Sequence, residues 1–168
     1  VHVHGVEGYD TLDPGAPVAQ IAARLPRYGV TAFCPTTVAC APQTLRGVLA
    51  QVARARVGDD PNGARVLPAH LESNFISPDH RGAQPAECLR LPGVGSAPRN
   101  PRSERTSGST RREENNSGST QRTRRSESGD FSASDILDVI TAARSDIGIV
   151  TLAPELPGAL ELVRTLVS

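Results

Sequence analysis

Apolar positions along the chain fall into short β-branched runs that alternate with stretches of helical spacing, the mark of successive βα units and a parallel sheet. The first strand ends near His4. Val18, Ile21, Ala22 and Leu25 stand at i, i+3, i+4 and i+7, which predicts a helix closing around residues 26–29. A second strand follows over residues 30–33. Leu45, Val48, Leu49 and Val52 repeat the helical spacing behind Pro42, a residue suited to a first helical turn because its missing N–H would be unpaired there anyway. The third strand runs from about residue 65 to residue 71. Ser132 and Asp135 have the spacing of a capping box and open a helix that turns Ile136, Leu137, Ile140 and Ala143 inward. A fourth strand covers residues 147–152, and Pro157 starts a last helix through Leu160, Val163 and Leu166.

The alternation breaks between Pro92 and Gly129, where Ser, Thr, Arg, Glu, Asn and Gly dominate and Val94 is the only aliphatic residue larger than Ala. Ser107-Gly-Ser-Thr110 returns as Ser117-Gly-Ser-Thr120, each followed by arginines. Such a stretch supplies no core and reads as a low-complexity, disordered insertion over residues 92–129. Residues 1–91 and 130–168 then form the two parts of one α/β domain. Four βα units fit half of a (β/α)8 barrel or half of a doubly wound sheet, and 168 residues are too few for a whole barrel of about 250. Half a barrel leaves an open sheet edge. A chain that starts at Val1 and holds no Met also looks like part of a longer one.

Composition narrows the classes of function. The formal net charge is zero, which removes the basic field of a dedicated nucleic-acid or anionic-membrane binder. The eight arginines of the insertion face four glutamates with no aromatic residue to stack on bases, so a nucleic-acid role there is the weaker reading. No apolar run approaches the ~20 residues that span a bilayer. Cys34, Cys40 and Cys88 are odd in number and lack CxxC spacing, which argues against a disulfide framework or a thiolate zinc site and for small buried side chains in a reducing cytoplasm. GxGxxG, P-loop and GxSxG motifs are absent.

Positions two apart on a strand share a face, so His2 and His4 can offer two imidazoles to one ion at a strand end. His70 and Glu72 close the third strand in the same manner. Glu72 can bind a metal or pair with an arginine. Glu155, just ahead of a Pro-initiated helix, is favoured there simply by the helix dipole.

Taken in order, His2-Val3-His4-Gly5, Gly29-Val30-Thr31-Ala32-Phe33-Cys34-Pro35-Thr36-Thr37, Ala69-His70-Leu71-Glu72 and Thr151-Leu152-Ala153-Pro154-Glu155 resemble the N-acetylglucosamine-6-phosphate deacetylases of the amidohydrolase superfamily. The resemblance implies the N-terminal half of a metal-dependent (β/α)8 barrel that removes acetate from N-acetylglucosamine 6-phosphate in amino-sugar catabolism. It implies a cytoplasmic enzyme, homodimeric at full length, that carries one or two divalent ions such as zinc and binds a sugar phosphate, not nucleic acid or membrane. His2, His4 and Glu72 fall on the family's metal ligands, and Ala83 and Gln84 on a stretch that touches the sugar. Gln84 replaces the usual histidine, and Ser73 and Asn74 stand where Gly and Pro are expected. The family's two further metal-binding histidines and its catalytic aspartate would lie beyond Ser168, so the resemblance implies little or no activity for these residues alone. Another metal-dependent amidohydrolase, such as a dihydroorotase-like one, shares the HxH pair, but Glu72 in place of a lysine argues against it.

Overall fold

A computed structural model describes residues 1–58, 60–93 and 130–168, so nearly all of the low-complexity stretch lies outside the described residues. Its strands are β1 (His2–Val3), β2 (Gly5–Val6), β3 (Tyr9–Asp10), β4 (Ala32–Thr37), β5 (Arg65–Val66), β6 (Ala69–Glu72) and β7 (Ile147–Thr151). Its α-helices are α1 (Pro17–Arg24), α2 (Pro42–Val57), α3 (Ala133–Ala142) and α4 (Ala159–Val167). The order of strands in the main sheet is β1-β4-β6-β7, all parallel, with β5 also paired to β4. β2 and β3 form a small antiparallel hairpin.

Helices start where the sequence provides a start. Pro17 and Pro42 occupy the first turns of α1 and α2, and Gly29 takes the left-handed conformation at φ 75° to end the short 3-10 turn after α1. The capping box of α3 forms: the Asp135 N–H donates to Ser132 Oγ at 3.3 Å and the Ser132 N–H donates to Asp135 Oδ2 at 2.7 Å. The Ser132 N–H, together with the Ser132 hydroxyl that also donates to Oδ2, holds the Asp135 carboxyl below the usual carboxylate range.

One face of the sheet carries the core. Phe33, Ala69 and Leu71 are buried with Val18 and Ile21 of α1, Leu45, Val48, Leu49 and Val52 of α2, and Ile136, Val139 and Ile140 of α3. Thr37 of β4 is register partner of Leu71, so the odd-numbered residues of β4 and β6 point toward the helices. Their even-numbered neighbours therefore line the opposite face.

Three boundaries differ from the sequence pattern, each for a physical reason. β4 occupies residues 32–37 rather than 30–33, because pairing to β1, β5 and β6 extends it through Pro35 and two buried threonines. The third predicted strand is split into β5 and β6 around Leu67 and Pro68, since proline lacks the N–H that a continuous ladder needs. The last helix begins after Gly158, at φ 83°, and not at Pro157; Ala159 and Leu162 are buried, Val163 and Leu166 are half-buried, and Leu160 is 64% exposed. β7 is an edge strand, with Ile149 half exposed beside an apolar cleft of about 380 Å³ between α3, β7 and α4. Among the described residues, no helix is long and apolar enough to cross a membrane.

This helix orientation predicts a sharp asymmetry between two leucines two positions apart. Leu162→Ala should cost about 2–5 kcal/mol of unfolding free energy and Leu160→Ala less than about 0.5 kcal/mol, measured by urea denaturation. Equal losses would mean that α4 presents the other face.

Candidate metal-holding site

The site lies on the sheet face away from the helices. His2 is register partner of Cys34, and Thr36 is register partner of His70, so side chains from β1, β4 and β6 share that face. β4 stands between the two histidine-bearing strands, and neighbouring strands lie about 4.8 Å apart. Only small side chains, Cys34 and Thr36, rise from β4 here. The imidazoles of β1 and the carboxylate of β6 can thus meet above it.

They do meet. His4 Nε2 lies 3.4 Å from Glu72 Oε1, and the ring centroids of His2 and His4 are 5.5 Å apart. One potential ligand atom each from His2, His4 and Glu72 falls within 4.8 Å of the others. His2 is exposed and the other two are half-buried. The three residues singled out as ligands from the sequence are brought together. Glu155 is exposed and takes no part in this group.

A bare imidazole lone pair and a carboxylate oxygen repel each other, so an approach of this kind calls for a hydrogen on His4 Nε2, which the neutral tautomer can carry, or for a metal ion between them. Ligand atoms held tetrahedrally at about 2.0–2.2 Å from zinc stand roughly 3.3–3.5 Å apart, which the His4 to Glu72 spacing matches. The other nitrogen of His4, Nδ1, is buried with no hydrogen-bond partner. The donor set therefore fits a divalent ion of borderline softness, with three ligands where a tetrahedral centre takes four.

Around these groups the chain is braced. The backbone oxygen of His4 accepts from both the N–H and the hydroxyl of buried Thr11, at 2.7 and 2.8 Å. Beneath His2, the ring of His70 lies 5.2 Å away, and its Nε2 is 2.8 Å from the Thr151 hydroxyl at the end of β7. Burial, reinforced by the adjacent His2 ring, holds His70 below the ordinary imidazole range, which favours its neutral form. His70 is therefore part of the floor, bonded sideways into β7.

The three positions that depart from the expected motif are all buried and bonded. The hydroxyl of Ser73 donates to the Thr151 carbonyl at 2.6 Å and accepts from the Phe75 N–H at 3.2 Å. Asn74, 2% exposed, donates its side-chain amide to the carbonyls of Cys40 and Cys88 at 2.8 and 2.7 Å, and its own carbonyl accepts from the Arg90 N–H. One side chain thus ties together the loops that follow β4 and β6. Gln84 donates to Glu72 Oε2 at 2.8 Å and accepts from the Ala39 N–H at 2.7 Å. Ala83 is exposed on the same loop. Cys40 and Cys88 are buried and Cys34 half-buried, and burial pushes the Cys88 thiol up, as suits small structural side chains.

No protein-family model matches the chain. A mouse protein named N-acetylglucosamine-6-phosphate deacetylase is 45% identical over 94 residues, which are 54% of this chain and 22% of that protein. A bovine protein of the same name is 31% identical over 172 aligned residues, covering 99% of this chain and 32% of its own length. The chain therefore spans about a fifth to a third of the length of these curated relatives. Among solved structures, an N-acetyl-D-glucosamine-6-phosphate deacetylase from Mycobacterium smegmatis superposes on 99% of this chain and 35% of its own, with a TM-score of 0.63 at 20% identity. That likeness shows the shared α/β fold with its parallel sheet.

The loop tie at Asn74 carries a prediction of its own. Asn74→Ala removes the side-chain bonds to the Cys40 and Cys88 carbonyls and should destabilise the fold by about 1–3 kcal/mol, with faster hydrogen exchange at the Arg90 amide, which donates to the Asn74 backbone carbonyl. Unchanged exchange at Arg90 would show that these loops are held by other contacts.

Proposed function

We propose that this chain, a relative of the N-acetylglucosamine-6-phosphate deacetylases, supplies part of the metal centre of an enzyme that hydrolyses the acetamide of an N-acetylated hexosamine phosphate. The observation that carries the reading is the meeting of His2, His4 and Glu72 across β4, with ligand atoms within 4.8 Å of one another. The names of the mouse and bovine relatives supply the substrate class, N-acetylglucosamine 6-phosphate. In this reading the open sheet is part of a (β/α)8 barrel, its helix-free face is the barrel interior, and the strand ends carry the chemistry, as barrel enzymes arrange it.

His2, His4 and Glu72 would hold the ion, and zinc is the candidate that their nitrogen and oxygen donors suit. A divalent ion bound there supplies a Lewis acid that polarises a carbonyl and acidifies water. The protein residues fix the donors in place: Thr11 holds the His4 backbone, and neutral His70, bonded to Thr151, supports the His2 ring. The proton-transferring carboxylate expected of such a hydrolase does not join this cluster among the described residues. In this reading the described residues hold the ion and turn over little substrate.

Both parts can be measured on the purified chain. Zinc should bind at one ion per chain, and His4→Ala or Glu72→Gln should weaken binding at least tenfold under chelator competition. Acetate release from N-acetylglucosamine 6-phosphate should stay at background. Absence of zinc binding would overturn the metal assignment, and sustained turnover by this chain would overturn the view that its site is incomplete.

A further inference from the structure

Glu72 has two oxygens with different partners. Oε1 lies 3.4 Å from His4 Nε2, while Oε2 accepts from the side-chain amide of Gln84 at 2.8 Å. The other end of that amide, Oε1 of Gln84, accepts from the backbone N–H of Ala39 at 2.7 Å. Gln84 is 7% exposed, so these bonds form away from bulk water. Its orientation has no alternative: exchanging oxygen and nitrogen would set an acceptor against the carboxylate and a donor against the Ala39 N–H. The backbone at Gln84 is fixed as well. Its N–H donates to the Arg81 carbonyl at 3.0 Å, and its carbonyl accepts from the Arg81 guanidinium at 2.8 Å. Gly82, at φ 56°, makes the left-handed turn that brings the loop back under β6.

We propose that Gln84 is a positioning residue that makes Glu72 a one-oxygen ligand, by occupying Oε2 and anchoring it to the loop after β4. The inference rests on the metal reading of the site and assigns to Gln84 a role that its sequence position does not announce. The Gln84 bond takes one lone pair of Oε2 and leaves Oε1 the freer donor, and the Gln84 to Ala39 bond opposes rotation of the carboxylate to present both oxygens. Because the amide is neutral at every accessible pH, the clamp does not switch with protonation of Gln84.

The test uses the apo chain titrated with zinc under chelator competition, together with infrared spectra of the carboxylate stretches, the Glu72 bands being identified by their loss in Glu72→Gln. For the wild-type chain the zinc-bound Glu72 stretches should be widely split, as in one-oxygen binding. Gln84→Met, which keeps the length of the side chain and removes both hydrogen bonds, should narrow the splitting toward two-oxygen binding and weaken zinc affinity about 10–100-fold. A narrow splitting in the wild-type chain would overturn the proposal without any variant at Gln84. So would a folded Gln84→Met chain with wild-type affinity and spectrum. A wild-type chain that takes up no zinc at His4 and Glu72 would instead overturn the metal reading, and this inference with it.

Discussion

The constraint on which the site depends is the register of a parallel ladder. His2 pairs with Cys34 and Thr36 pairs with His70, so every even-numbered residue of β1, β4 and β6 is committed to the face away from the helices. A slip of one residue in either ladder would turn the imidazoles into the apolar layer and bring Phe33 or Leu71 out of it. Burial of those two side chains, at 0% and 1% exposure, therefore fixes the metal-holding face as firmly as any contact within it. The irregularity between Ala69 and His70, where β7 has an extra residue at Gly148, then brings Thr151 level with Glu72. A side chain at Gly148 would meet Pro68 at 3.2 Å, which is tight enough to favour glycine at this point of the strand.

Much of this is legible in the sequence. Helical spacing behind Pro42 located α2, and the Ser132 and Asp135 pair located the start of α3. The HxH pair and the carboxylate of β6 were legible because a strand has a period of two, and that period carries over directly into which side chains can meet. β4 was harder to delimit. Pro35 cannot donate to a ladder and reads as a stop, and pairing on both sides carries the strand through it to Thr36 and Thr37. The start of α4 lies two residues after Pro157, because the left-handed conformation of Gly158 breaks the helix before Ala159. The bonds of Asn74 and Gln84 had no sequence signal at all. Each joins loops that are distant along the chain, and nothing periodic marks them.

Those two residues change how the departures from the expected motif are understood. A motif that decays leaves buried polar groups stranded, because no selection maintains their partners, and each stranded group costs free energy. Asn74 instead spends its amide on two carbonyls from different loops, Ser73 bridges β7 and its own turn, and Gln84 bonds at both ends. The replacements form a set that is satisfied in itself. Proline at position 74 could make none of the side-chain bonds, so the loops around Cys40 and Cys88 are held here by hydrogen bonding where another sequence would rely on backbone stiffness.

The same geometry sets open strand edges and a three-member donor group side by side among the described residues. Of the strands in the main sheet, β1 and β6 provide the candidate donors, β4 provides clearance, and β7 provides the Thr151 hydroxyl and carbonyl that brace His70 and Ser73. β1 and β7 each have one strand neighbour among the described residues, and β7 carries half-exposed Ile149 beside an apolar cleft. Further strands laid against these edges would cover that apolar surface and bring new side chains to the face where three donors already converge. A single structural addition would therefore satisfy both the hydrophobic and the coordinative shortfall, which is the economy expected when a fold builds its site from the ends of adjacent strands.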